Sequence, residues 1–168
     1  MSLTKKISQR VIPIKDFSSC AYCSVRRLCL PVSVDREEIN IIDDLVANRP
    51  SLNKSDYLFH AGDKFNSLYA IKSGAVKTYG STKGGREQIT GFHFSGELIG
   101  LDAIGNNMHN CSAVALEKTV ICAIPYKSIE EVSLHVPAIQ QEITRLMSRE
   151  IRNDEEMLMA MGLSLIHI

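Results

Sequence analysis

Between residues 56 and 125 the chain is a succession of short β-forming runs with glycine between them, a pattern that few folds accommodate. Tyr57-Leu58-Phe59, Leu68-Tyr69-Ala70-Ile71, Val76-Lys77-Thr78-Tyr79, Ile89-Thr90-Gly91-Phe92, Ser112-Ala113-Val114-Ala115 and Val120-Ile121-Cys122-Ala123-Ile124 each have the length and composition of a strand. Gly62, Gly74, Gly84, Gly96, Gly100 and Gly105 stand mainly between these runs, at turn positions. Many short strands joined by regular turns predict a small β-barrel or jelly roll. A chain of 168 residues can bury one good core and still have length left for an interaction element.

Helices flank this region, so the expected class is α+β. Asp35 is positioned to cap a helix, with Glu38 as its capping-box partner. Ile39, Ile42, Leu45 and Val46 form its apolar face, and Asn48 and Pro50 end it. After Pro125 the period becomes helical again. A short helix is expected over about 128–135, and Pro137 suits the first turn of a longer one. Running to about Met161, the second helix would measure roughly 36 Å at 1.5 Å per residue.

That longer helix carries a stripe at three–four spacing: Ile139 or Gln140, Ile143 or Thr144, Met147, Ile151, Asp154, Leu158 and Met161. Such a stripe predicts pairing with the same helix of a second copy, the alternative being packing on its own barrel. Asp154 interrupts the apolar seam. In a parallel pair it would face its own copy, and two carboxylates that close repel or share a proton. Asp154 is therefore expected to weaken the homodimer.

Three cysteines precede the first helix in Cys20-Ala-Tyr-Cys23-Ser-Val-Arg-Arg-Leu-Cys29. One short loop can aim three sulfurs at one point, and a fourth cysteine from the body of the fold would complete a site for an iron–sulfur cluster or a zinc ion. Leu28 and Leu30 flank Cys29 and are positioned either to shield such a group or simply to pack. Formal net charge is zero, which gives no support for polyanion binding by the segment as a whole. No apolar run approaches the roughly 20 residues of a membrane span. Residues 1–15 are polar and basic, unlike a signal peptide. A cytoplasmic, thiol-reducing setting is the resulting expectation, in which clustered cysteines serve metal or redox chemistry rather than disulfides. Lys5, Lys6, Arg10, Lys15, Arg26 and Arg27 face only Asp16 as an acid before residue 31. They form either a solvated basic arm or, for Arg26 and Arg27, a counter-charge to metal-bound thiolates.

Several stretches together resemble the CRP/FNR family of bacterial regulators, and within it the oxygen-sensing FNR proteins. They are the cysteine loop with Leu30-Pro31, Leu68-Tyr69-Ala70-Ile71-Lys72-Ser73-Gly74, Glu87-Gln88-Ile89-Thr90-Gly91-Phe92-His93, the segment from Gly96 to Gly105, and Arg145-Leu146-Met147-Ser148 with Glu150-Ile151. The resemblance implies a cyclic-nucleotide-binding-like jelly roll with an N-terminal cysteine loop and a C-terminal dimerisation helix. It implies a [4Fe-4S] cluster on Cys20, Cys23, Cys29 and Cys122, the last falling in the strand that carries the family's fourth ligand. Cys111 has no such counterpart and is read as a small packed residue. Ile143, Met147, Ile151, Asp154 and Leu158 become the dimer interface. By position, Ser73 and the turn with Thr82, Gly85, Arg86 and Glu87 become surfaces for RNA polymerase in the full-length protein. The expected division is 1–31 for the arm and cysteine loop, 32–136 for the sensory barrel, 137–161 for the dimerisation helix and 162–168 for an atypical tail. DNA binding in the family uses a helix-turn-helix that residues 162–168 are too few to form, so that domain is expected to be absent here. The implied function is the sensory and dimerisation part of an oxygen-responsive regulator of anaerobic gene expression.

Three other readings compete. A cyclic-nucleotide or other small-ligand receptor needs a glycine-rich backbone for phosphate, available in Gly96-Glu97-Leu98-Ile99-Gly100, and an arginine to pair with the anion. The stretch Met108-His109-Asn110-Cys111-Ser112-Ala113, where that arginine would fall, has none. A structural zinc module suits four thiolates, but five residues between the second and third cysteines are less usual for zinc. A cupin-type enzyme needs converging histidines, whereas His60, His93, His109, His135 and His167 are scattered, and no nucleophile–base pair is apparent.

Overall fold

The computed structural model describes residues 19–31 and 33–166. The basic residues Lys5, Lys6, Arg10 and Lys15 and the terminal His167 and Ile168 lie outside the described residues. Helices α1 (Arg26–Cys29) and α2 (Arg36–Leu45) lead into eight strands. These are β1 (Ser51–Leu52), β2 (Tyr57–Phe59), β3 (Ser67–Ser73), β4 (Ala75–Ser81), β5 (Glu87–Phe94), β6 (Leu98–Ile99), β7 (Ser112–Ala115) and β8 (Thr119–Pro125). Helices α3 (Tyr126–Ser133) and α4 (Pro137–Ile166) close the chain. The strands form two antiparallel four-stranded sheets, ordered β1-β8-β3-β6 and β2-β7-β4-β5, which is the expected jelly roll.

Alternation along the strands builds the core. Ile71 and Ile121 from one sheet meet Phe59, Val76 and Ala113 from the other in a fully enclosed cluster. The opposite face of the first sheet is also covered. There Leu68 joins Phe65, Ala103, Ile129 of α3 and Ile143 of α4 in a second apolar cluster. Gly74 turns β3 into β4 with φ +96°, and a Cβ there would collide with the Thr119 backbone at 2.7 Å. Both facts restrict the position to glycine.

The α2 start is as the sequence predicts: the Asp35 carboxylate accepts from the Glu37 and Glu38 amides, and Glu38 accepts from the Asp35 amide. Two expectations for α4 need correction. The helix does not stop near Met161 but continues to Ile166, about 45 Å in all. Gly162 costs only about 1 kcal/mol relative to Ala inside a helix, and the helix-forming Met161, Leu163 and Leu165 around it outweigh that. Ile143, expected in the dimer seam, is buried in its own chain against Phe65, Leu68 and Ile129. This part of α4 runs level with the barrel, so its apolar stripe is used within the chain. Further along, Ile151 is 59% and Leu158 64% exposed. No helix among the described residues is long and apolar enough to cross a membrane.

His109 is the one buried imidazole among the described residues, 3% exposed and stacked on Phe59 with ring centroids 3.6 Å apart. Burial pushes its pKa below 6.5, against the pull of Asp102 and Asp63. The fold therefore holds His109 neutral. Its contribution to stability is fully present above the unfolded-state pKa and is lost as pH falls toward the lower folded value. Thermal midpoints should drop as pH is lowered from about 6.5, and His109→Gln should flatten that slope, whatever its effect on stability at neutral pH. An unchanged slope in the variant would show that another group carries the acid sensitivity.

Candidate metal centre

The segment before α2 is more ordered than its irregular sequence implies. Cys20–Tyr22 form a 3₁₀ turn capped by the Ser19 side chain, which accepts from the Ala21 amide, and Arg26–Cys29 form one helical turn. Cys20, Ala21 and Leu30 then pack on an apolar cluster made by Val34, Ile39 and Ile42 with Val136. These contacts fold the loop against the outer face of the β1-β8-β3-β6 sheet. Cys122 belongs to that face: its neighbour Ile121 points into the barrel core, and successive strand residues point to opposite sides.

As a result Cys20, Cys23, Cys29 and Cys122 line one cavity of about 60 Å³, together with Arg26, Lys72, Leu30 and Ile42. Among the described residues no three His, Cys, Asp or Glu side chains are gathered closely enough to hold a single metal ion. The four thiols ring the cavity instead of meeting at a point. Four thiols are a donor set that suits either a multinuclear iron–sulfur cluster or a tetrahedral zinc ion. Burial pushes the Cys20 thiol up to about 12, with the Asp43 carboxylate adding to the effect, and pushes Cys29 up to about 11. Cys122 is also raised by burial, while Arg49 opposes the rise. Without metal, Cys20 and Cys29 are protonated at neutral pH, so binding must displace their protons.

Asp43, in the last turn of α2, ties the loop down. Its Oδ1 accepts from the Cys20 backbone N–H at 3.0 Å and from Arg49 Nη2 at 2.6 Å. Burial works against its charged form, but hydrogen bonds from Cys20 and Ser19 and the Arg49 charge together hold its carboxyl below the usual value. Sequence reasoning missed both residues. Asp43 looked like one acid of a polar helix face, and Arg49 lay among the residues that end the helix.

Other residues singled out by the sequence fall elsewhere. Cys111 lines a separate cleft, with its Sγ 3.7 Å from Asp102 Oδ2. That cleft, about 380 Å³, lies between the barrel and α4 and is lined by Thr78, Thr90, His93, Asp102, Glu150 and Asp154, with no Arg or Lys. Its three carboxylates would repel a cyclic phosphate. Ser73 ends β3, whereas Thr82, Gly85, Arg86 and Glu87 form the turn at the far end of β4. A seven-residue strand separates these two surfaces by roughly 23 Å. Leu28 is 63% exposed, but its Cβ and Cδ1 lie over Gly96.

Residues 49–135, just over half the chain, match the family model described as Cyclic nucleotide-binding domain. The chain belongs to the cyclic nucleotide-binding domain family. Over 143 residues, 85% of its length, it is 42% identical to the transcriptional activator protein Anr of Pseudomonas protegens, covering 59% of that protein. It is 41% identical over the same length to the fumarate and nitrate reduction regulatory protein of Escherichia coli, covering 57% of it. These relatives place it in the CRP/FNR branch of the family, and both are named for a regulatory role. The chain spans less than two thirds of either relative. In fold it is similar to the Thermus thermophilus catabolite activator protein, with TM-score 0.68 and 23% identity over 78% of this chain and 62% of that one.

Gly96 is the barrel's seat for the loop. It has φ +90°, and a Cβ built on it would sit 2.4 Å from the Leu28 Cβ. Gly96→Ala should cost about 1–2 kcal/mol from the backbone alone, and the Leu28 clash adds to this. Part of the strain should be relieved by lifting the loop. Trypsin should then cut after Arg26 and Arg27 roughly tenfold faster than in the parent, since about 1.4 kcal/mol is a factor of ten in the opened population. Cleavage at the parental rate, mapped by mass spectrometry, would show that Leu28 does not hold the loop.

Proposed function

We propose that this chain is the sensory and dimerisation part of an oxygen-responsive transcriptional regulator of anaerobic gene expression, with a [4Fe-4S] cluster held by Cys20, Cys23, Cys29 and Cys122. The observation that carries the reading is the cavity ringed by these four thiols, between a terminal loop and a barrel strand, in a chain 42% identical to an Anr activator. Bound there, a [4Fe-4S] cluster would supply a four-point tie that is sensitive to oxygen where solvent reaches it.

The chain's own residues convert that tie into a dimerisation signal. Cys122 is fixed in β8, paired with Ala70 across the sheet, so it is the rigid anchor. Cys20, Cys23 and Cys29 ride on the loop. Leu28 rests on Gly96, and Leu30 reaches the cluster that contains Val136 and, at its edge, Ile139 of α4. A loop held down supports the root of α4; a loop released withdraws apolar contact from it. The exposed seam of Met147, Ile151, Asp154 and Leu158 is the surface that would meet a second copy. Joined to DNA-binding domains, such a pair would set two of them on a two-fold site, and the turns at Ser73 and Thr82–Glu87 would be available to RNA polymerase. A cytoplasmic setting fits a regulator of this kind.

Protein purified without air should be brown with a broad visible band that bleaches when oxygen is admitted. Cys122→Ser should abolish the band and Cys111→Ser should keep it. Equal loss in both variants, or a colourless parent containing zinc, would overturn the assignment. Asp154→Ala removes facing carboxylates from the seam. Sedimentation of the oxygen-free protein should show dimerisation tightened by roughly tenfold, the effect of about 1.4 kcal/mol. An unchanged or weaker dimer would exclude Asp154 from the interface.

A further inference from the structure

We infer that Asp43 and Arg49 form a two-part clamp: Asp43 seats the cysteine loop, and Arg49, held by Asp43, supplies the fixed positive charge that faces the sulfurs of Cys20 and Cys122. The inference rests on the cluster reading above and adds two residues to it that hold no metal themselves.

The geometry is specific. One carboxylate oxygen, Asp43 Oδ1, takes both the Cys20 amide and the Arg49 guanidinium. It thereby joins the first ligand of the loop to a cation from the connection between α2 and β1. Both side chains are about one quarter exposed, so the pair is neither a solvated surface bridge nor fully enclosed. Arg49 lies near enough to Cys20 and Cys122 for its charge to act on both thiols, one on the loop and one on the sheet. Its Nε is buried and has no hydrogen-bond partner. An unsatisfied buried donor is costly, and a charged one more so. Metal-bound thiolate is an acceptor that would relieve that cost, and a four-thiolate cluster carries the net negative charge a nearby cation favours.

The other cations near the cavity differ in how they are held. Arg26 rides on the loop and moves with it, and Lys72 stands on β3. Arg49 is fixed by the same carboxylate that seats the loop. Arginine suits this role because its planar fork can bond Asp43 through one nitrogen and present others to sulfur. The arrangement makes loop docking and charge compensation one event: displacing Asp43 frees the loop and leaves the cation unguided.

The test uses the full chain with Arg49→Gln, Arg49→Lys and Asp43→Asn, each checked for a parental thermal transition without metal. Loaded with iron and sulfide without oxygen, Arg49→Gln should lose iron to a ferrous chelator about tenfold faster than the parent, the effect expected for one charge-assisted contact. Arg49→Lys, which keeps the charge, should recover most of the difference. In the metal-free chain, Asp43→Asn should expose Arg26 and Arg27 to trypsin about tenfold faster, through loss of a charge-assisted bond. Parental iron loss in Arg49→Gln, or a Lys variant no better than Gln, overturns the charge role. Parental trypsin resistance in Asp43→Asn overturns the seating role. A parent that takes up no cluster refutes the cluster reading and with it the charge role, whereas the trypsin comparison still decides the seating role.

Discussion

Everything proposed for this molecule depends on one small apolar cluster. Val34, Ile39 and Ile42 of the α2 region, Val136 at the root of α4, and Cys20, Ala21 and Leu30 of the cysteine loop pack together outside the barrel. The loop is too short and too polar to hold a position alone. At roughly 25 cal/mol per Å² of apolar surface removed from water, a few partly buried side chains hold it only modestly. A modest hold is what a switch requires, because a ligand can bias two states only when their free energies are close. The same cluster is shared with α4, so the loop cannot leave without changing the packing at the helix root.

The barrel contributes rigidity. Cys122 and Ile121 are adjacent in β8 but serve opposite faces, one turned to the loop cavity and one to the core. A one-residue slip of β8 would exchange them, and the fully buried Ile121 opposes that slip. The core thus fixes the register that presents the fourth thiol.

Much of this was legible in the sequence, for physical reasons that differ by element. The long strands and the α2 cap were readable because alternation and the Asp35–Glu38 box are local signals. The two-residue strands β1 and β6 were not, since they exist only through pairing with β8 and β3. The α4 stripe was visible but its use was not. The three–four spacing is the same whether a helix meets its own barrel or another copy, and only the position of the barrel assigns Ile143 to the first role. Asp43 and Arg49 carried no motif at all. A bond between residues six apart, across the end of a helix, has no sequence period, and the one available hint was a lone cation before Pro50 in a segment otherwise read as a helix stop.

Two of the fold's cavities carry opposed charge. The one beneath the loop gathers four thiols with Arg26, Lys72 and nearby Arg49. The one between the barrel and α4 gathers Asp102, Glu150 and Asp154 with no basic side chain in its lining. A domain that binds a cyclic phosphate needs its cation in the second place. Here the positive charge lies on the other side of the β1-β8-β3-β6 sheet, where an anionic thiolate cluster would need it. Such a redistribution leaves the barrel core untouched, because it changes only residues on loops and outward faces. Asp154 lines the second cleft and also interrupts the exposed seam of α4, so in the proposed dimer the charge that disfavours an anionic ligand in the cleft would also oppose close approach of a second helix.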